Sequence, residues 1–95
     1  MAAYFIVDVD IHDIAGMREY IERVPGIVGK FGGRYLVRGG NYEVLEGQWR
    51  PARVVVVEFP NVEQAKRFYD SEEYKEYKAA RFRSAKSHGI LVEGV

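Results

Sequence analysis

The residue types that could do chemistry gather in one stretch of the chain, residues 68–88, "FYDSEEYKEYKAARFRSAKSH". At 100° per residue on a helix, Tyr74, Tyr77, Arg81, Ser84, Ala85 and His88 fall on one stripe, with Arg81 at its middle. A guanidinium on an inward stripe must be paired, because burying it alone costs several kcal/mol. Two readings follow. Arg81, with Tyr74 and Tyr77, lines a pocket between helix and sheet and receives the carboxylate or enolate of a small molecule. Alternatively, Arg81 closes a permanent salt bridge with an internal acid, Glu58 or Asp8, or snorkels along the helix edge. Tyr69 and Ser71 sit beside Tyr74 in "FYDSEEY", where they could hydrogen-bond a substrate. Ser71 serves equally as a helix cap and the tyrosines as core.

The remaining candidates are charges beside apolar runs. In "ARVVVVEF" (52–59), Glu58 shares a strand face with Val54 and Val56, and Arg53 shares the opposite one with Val55 and Val57. Glu58 and Arg53 therefore cannot line one pocket on a regular strand. A buried Glu58 would have a raised pKa and could act as a general base; the plainer role is an ion pair at a strand end or across an interface. Arg38 ends a second apolar run. Asp8, Asp10 and His12 alternate and would share a face of an extended strand, a set that suits a divalent cation. The strand is expected to end near residue 10 and Asp13 to cap a helix, so no metal site is assigned. His88 is explained by a helix C-terminus, where a cation suits the dipole. Trp49, the only tryptophan, lies in "GQWRP" and is expected to anchor an interface.

These side chains need elements to hold them. "YFIVDVDI" (4–11) reads as a strand. Asp13 caps a helix whose apolar residues Ile14, Met17, Ile21, Val24, Val28 and Phe31 recur at three- and four-residue steps. Pro25-Gly26 should kink it or end its regular part, and Gly32-Gly33 stops it. "RYLVR" (34–38) is a second strand. "YEVLEG" (42–47) is a short β segment, either a hairpin return or a continuation past a glycine bulge. Residues 52–59 form the third main strand. Asn61 caps a helix, with Gln64 at the capping-box position, and Ser71 caps its restart over 72–88. Gly89 ends that helix, and "ILVEGV" (90–95) is the last strand.

The order β-α-β-(β)-β-α-β predicts one α+β domain over residues 1–95, a ferredoxin-like sandwich with two helices on one face of an antiparallel sheet. Yet both faces of two strands are apolar: Val54 and Val56 oppose Val55 and Val57, and Tyr4 and Ile6 oppose Phe5 and Val7. Helices cover one face. A bare second face would be a patch that soluble monomers rarely tolerate, so a second copy packed face to face is expected.

Composition narrows the partners. Lys+Arg and Asp+Glu are 14 each, so the formal charge is zero. That argues against nucleic acid and against an anionic membrane surface. With no cysteine there is no disulfide, thiol nucleophile or thiolate metal site. No apolar run approaches the ~20 residues of a spanning helix, and "MAAYFIVDVD" lacks the basic start of a targeting segment. A cytoplasmic protein is expected. There is no G-x-S-x-G, P-loop or G-x-G-x-x-G before a helix.

"FGGRYLVRGG", "LEGQWRPARVVVVEFPN", "FYDSEEY" and the late "LVEG" together resemble the DUF1330 family, in order and over nearly the whole chain. The resemblance implies a subunit of the dimeric α+β barrel superfamily and a face-to-face homodimer. It implies no activity, metal or cofactor. Superfamily relatives include monooxygenases, isomerases and haem enzymes, so fold analogy says little about reaction. Two functions are carried forward. One is cofactor-free binding or conversion of a small carbonyl or carboxylate compound in a pocket lined by Tyr74, Tyr77, Arg81, Tyr69 and Glu58. The other is a non-catalytic dimeric module with a purely structural polar interior.

Overall fold

The computed structural model describes all 95 residues. Strand β1 (Ala3–Ile11) leads into helix α1 (Ile14–Lys30), then β2 (Arg34–Arg38), β3 (Val54–Phe59), α2 (Val62–Tyr69), α3 (Glu72–Ser84) and β4 (Ala85–Glu93). The four strands form one antiparallel sheet in the order β2-β3-β1-β4, with the long β1 at its centre. The helices lie on one face, and the molecule is a thin slab whose smallest extent is 16 Å.

Alternation along the strands sorts the two faces. Ala3, Val7 and Val9 of β1 and Val57 and Phe59 of β3 are buried toward the helices. Their neighbours Ile6, Val54 and Val56 point the other way. From the helices, Val24, Ile27 and Val28 of α1, Ala65 and Phe68 of α2 and Tyr74 of α3 complete the core. The Phe68 ring stacks on Tyr74 at 4.3 Å between centroids and meets Phe59 at 5.3 Å.

The expected helix boundaries hold where a side chain supplies the cap. Asp13 Oδ1 accepts from the Gly16 amide at 3.1 Å, Asn61 Oδ1 from Gln64 at 2.8 Å, and Ser71 Oγ from Tyr74 at 3.2 Å. Helix α1 ends in a Schellman turn: the amides of Gly32 and Gly33 donate to Gly29 and Val28 carbonyls, with Gly32 at φ +80°.

Four expectations are corrected. Residues 42–47 form no strand; residues 39–53 are a loop, and β2 pairs directly with β3 through a bulge between Tyr35 and Val37. Gly39 and Gly47 turn this loop at φ +70° and +77°. Asp8 fastens its end, accepting from the amides of Ala52 (2.9 Å) and Arg53 (3.2 Å) and from Trp49 Nε1 (3.3 Å). Of the two effects expected of Pro25, ending the helix is the one corrected: it lies inside α1 and forfeits one ladder bond, while Val24, Ile27 and Val28 are buried around it. The buried stripe of α1 runs through Met17, Val24, Ile27 and Val28, so Ile14 and Ile21 fall at its exposed rim. Helix α3 stops at Ser84 rather than His88. The nine residues of β1 need nine partners, and residues 85–88 supply four of them opposite Ile11, Asp10, Val9 and Asp8. The Ser84 carbonyl accepts from both His12 and Asp13 amides at 3.0 Å, which locks the crossover. His88 thus stands beside Asp8 on the sheet face away from the helices, not at a helix terminus.

Candidate functional site

Arg81 occupies the last turn of α3 on its inward side and is only 3% exposed. No carboxylate pairs with it. The molecule's three ion pairs are Lys30–Glu73, Arg34–Glu58 and Arg67–Glu63, and Arg81 Nε is buried with no acceptor. Aromatic faces surround the guanidinium instead, with the Phe82, Tyr20 and Phe5 ring centres 5.3, 5.9 and 6.0 Å from its carbon. Such contacts favour a cation but offer no lone pair to an N–H.

On its sheet side Arg81 borders a cleft of about 540 Å³ between the ends of α2 and α3 and the β1–β4 edge. Phe5, Tyr69, Phe82, Ser87 and Leu91 line it, and Lys66 and Asp70 stand at its rim. Tyr69 is held edge-on against Phe5 at 5.8 Å, with Lys78 Nζ 4.0 Å above its ring. Lys78 also donates to the Tyr69 carbonyl at 2.8 Å, which fixes the α2–α3 junction.

Behind Arg81 lies a tyrosine pair. The hydroxyls of Tyr20 and Tyr74 are 2.5 Å apart, bridging α1 and α3. Burial pushes the Tyr20 hydroxyl above its usual range, against the opposing pull of Arg81. Burial likewise pushes Tyr74 up, reinforced by Tyr20. Both stay protonated at neutral pH and can donate or relay a hydrogen bond, but they are poor bases. Asp70 is the only carboxylate on the lining.

The structure brings together part of the predicted set. Arg81 and Tyr69 line the cleft. Tyr74 is fully buried behind it and reaches Arg81's surroundings through Tyr20. Tyr77 borders shallow grooves between α1 and α3 instead. Glu58 is on the opposite sheet face, where Arg34 Nε donates to it at 2.8 Å. That bond holds its carboxyl below the usual range, so the raised-pKa base is excluded and the ion-pair role stands. Tyr20 was missed, although its spacing from Met17 and Val24 puts it on the inner stripe of α1. No three His, Asp or Glu side chains converge as a metal cage.

A four-stranded antiparallel sheet ordered β2-β3-β1-β4 with its helices on one face is a ferredoxin-like α+β fold, the fold on which dimeric α+β barrels are built. Solved structures share it. A protein of unknown function from Rhodopseudomonas palustris superposes with a TM-score of 0.78 at 16% identity, over 99% of this chain and 82% of that one. SnoaB, a cofactor-independent oxygenase from Streptomyces nogalater, gives 0.68 at 12% identity, over 99% and 93%. A hypothetical protein of Arabidopsis thaliana gives 0.70 at 11%, over 98% and 88%. At such identities the likeness is one of fold. The family model for DUF1330, a domain of unknown function, matches residues 2–95, and the chain belongs to that family. No functionally curated protein matches the sequence.

Proposed function

We propose that the protein is a cytoplasmic homodimer that binds, and without a cofactor converts, a small carbonyl or carboxylate compound in the Arg81 cleft. One observation carries the reading: a buried guanidinium with no acid beside it and an orphaned Nε borders an open cleft. A ligand carboxylate or enolate oxygen at the cleft wall accepts a charge-assisted hydrogen bond from the guanidinium. Tyr69 and Phe5 flank the ligand, and Asp70 at the rim is the group placed to exchange a proton with it. SnoaB offers a precedent for cofactor-free chemistry on this fold.

The dimer reading rests on the face that the helices leave bare. Ile6, Val54, Val56, Val37, Ile90 and Val92 run across all four strands there, with Ile90 59% exposed. A second copy, apposed sheet to sheet, covers this row. Trp49, 64% exposed, lines a groove at its margin together with Ile6, Val54 and Ile90. A second reading, a dimer without chemistry, draws on the three rings around Arg81, which give the cation a structural cradle.

Native mass spectrometry of gently purified protein, beside Arg81→Gln, tests both. The expected species is twice the 10.9 kDa chain, with bound small-molecule mass, or pyruvate or acetoacetate adducts on titration, that the variant loses. A bare dimer under every condition sinks the binding reading, and a monomer sinks the dimer.

A further inference from the structure

We infer that the protein has a second, separate binding site, between α1 and the β2–β3 half of the sheet, for an amphipathic carboxylate with a short acyl tail of two or three carbons. The site opens beside Arg38 and Arg53 and runs inward between Met17, Ile21 and Pro25 of α1 and Val55 and Val57 of β3. Its walls are almost wholly apolar, and its volume is about 60 Å³. That is several times the roughly 10–15 Å³ that admits one water, and cavities with such walls favour apolar guests over water. The tail of the ligand belongs there.

The mouth supplies the charge. Arg38 sits opposite Val55 in the ladder, so it faces the helix side, and Arg53 shares that face by alternation. Neither belongs to any of the three ion pairs, although the chain carries as many acids as bases. Both are fixed in place. The Arg38 guanidinium lies over the Tyr35 ring, 5.0 Å from its centre. Arg53 is clamped through its backbone, its amide donating to Asp8 Oδ1 at 3.2 Å and its carbonyl accepting from Val9 at 2.9 Å. Its guanidinium packs onto Gly39, where a Cβ would collide with it. Two unpaired guanidiniums over an apolar slot match a carboxylate head on an apolar tail. Burial raises the Tyr35 hydroxyl to about 12, so this neighbour stays a neutral donor. Phe5, Phe68 and Tyr20 separate the slot from the Arg81 cleft.

Calorimetric titration of the full-length protein with propanoate and butanoate, against butan-1-ol, tests the assignment. The carboxylates should fill one site per chain in addition to any taken up by the Arg81 cleft, and the alcohol should bind there much more weakly. Arg38→Gln and Arg53→Gln should each weaken binding about tenfold, the value of one charge-assisted hydrogen bond. Ile21→Trp, which plugs the slot from the half-exposed rim of α1, should abolish it, and Arg81→Met should leave it unchanged. Absence of saturable binding, equal binding of alcohol and acid, or an unaffected Arg38→Gln/Arg53→Gln double variant overturns the proposal. Loss of binding in Arg81→Met also overturns it, but by placing the carboxylate in the first cleft it leaves the proposed function standing.

Discussion

Arg81→Met should stabilise the ligand-free protein. If the guanidinium is kept for a ligand, the empty protein carries the cost of an unpaired buried charge. The effective penalty for such an ion is several kcal/mol in a sealed interior; Arg81 borders a cleft, so about 2–4 kcal/mol is a fair share. Against it stand three ring contacts at 5.3–6.0 Å, near the limit of cation–π reach and worth roughly 0.5 kcal/mol each. Methionine fills the stem's place and returns no charge. The balance is a gain of about 0.5–2.5 kcal/mol, and for a domain near 100 residues each kcal/mol moves Tm by roughly 4–8 °C. Urea titration at fixed protomer concentration reads this as a raised midpoint at unchanged slope. A midpoint lowered by more than about 1 kcal/mol at constant slope would refute the reasoning. It would mean that the aromatic cradle, not an absent ligand, is what Arg81 is for.

Two further outcomes follow from the burial pattern. Val56→Asp places a carboxylate at the centre of the bare sheet face, between Ile6 and Val37. Apposing two such charges should weaken self-association by at least about 3 kcal/mol, over a hundredfold, with far-UV circular dichroism retained. A soluble mutant that light scattering shows fully dimeric at low micromolar concentration would exclude this face as the interface. The second concerns alkaline pH. Tyr20, Tyr35 and Tyr74 all hold their protons more tightly folded than unfolded. Above about pH 10 the unfolded chain releases protons that the native one keeps. Stability should therefore be full below that point and fall as pH rises, through about 12 for Tyr35. Urea midpoints that stay flat to about pH 11 would contradict this assignment.

How much of this was legible depended on whether a feature is local. The caps Asp13, Asn61 and Ser71 act within three residues of themselves and were readable from sequence. The two apolar faces of residues 54–57 were readable too, because alternation alone sorts them. Whether Glu58 meets Arg81 was not, since that depends on which face the helices take. They took the face of Val55 and Val57, leaving Glu58 to Arg34 on the other side. Residues 42–47 carry strand-forming side chains, yet there is no place for them between β2 and β3. β3 pairs with β1 on one side and directly with β2 on the other.

The misassigned segment 85–88 explains why the site exists. "AKSHG" has helix formers and no early glycine, so its sequence reads as a continuation of the helix. What overrides that propensity is the length of β1, whose unpaired C-terminal half would expose backbone donors and acceptors. As a strand, the segment presents Ala85, Ser87 and Gly89 to the helix side, and their small side chains cannot fill the space beneath the α2–α3 junction. Gly89 leaves room for the Phe5 ring, which a Cβ there would meet at 3.0 Å. Phe5, Val7 and Val9 on the inner row of β1 face smaller residues on β4, so a wide hollow is left over β4. Arg81 leaves the last turn of α3 at the edge of that hollow. The same change from helix to strand that spoiled the Tyr74–His88 stripe thus opens the cleft that Arg81 borders.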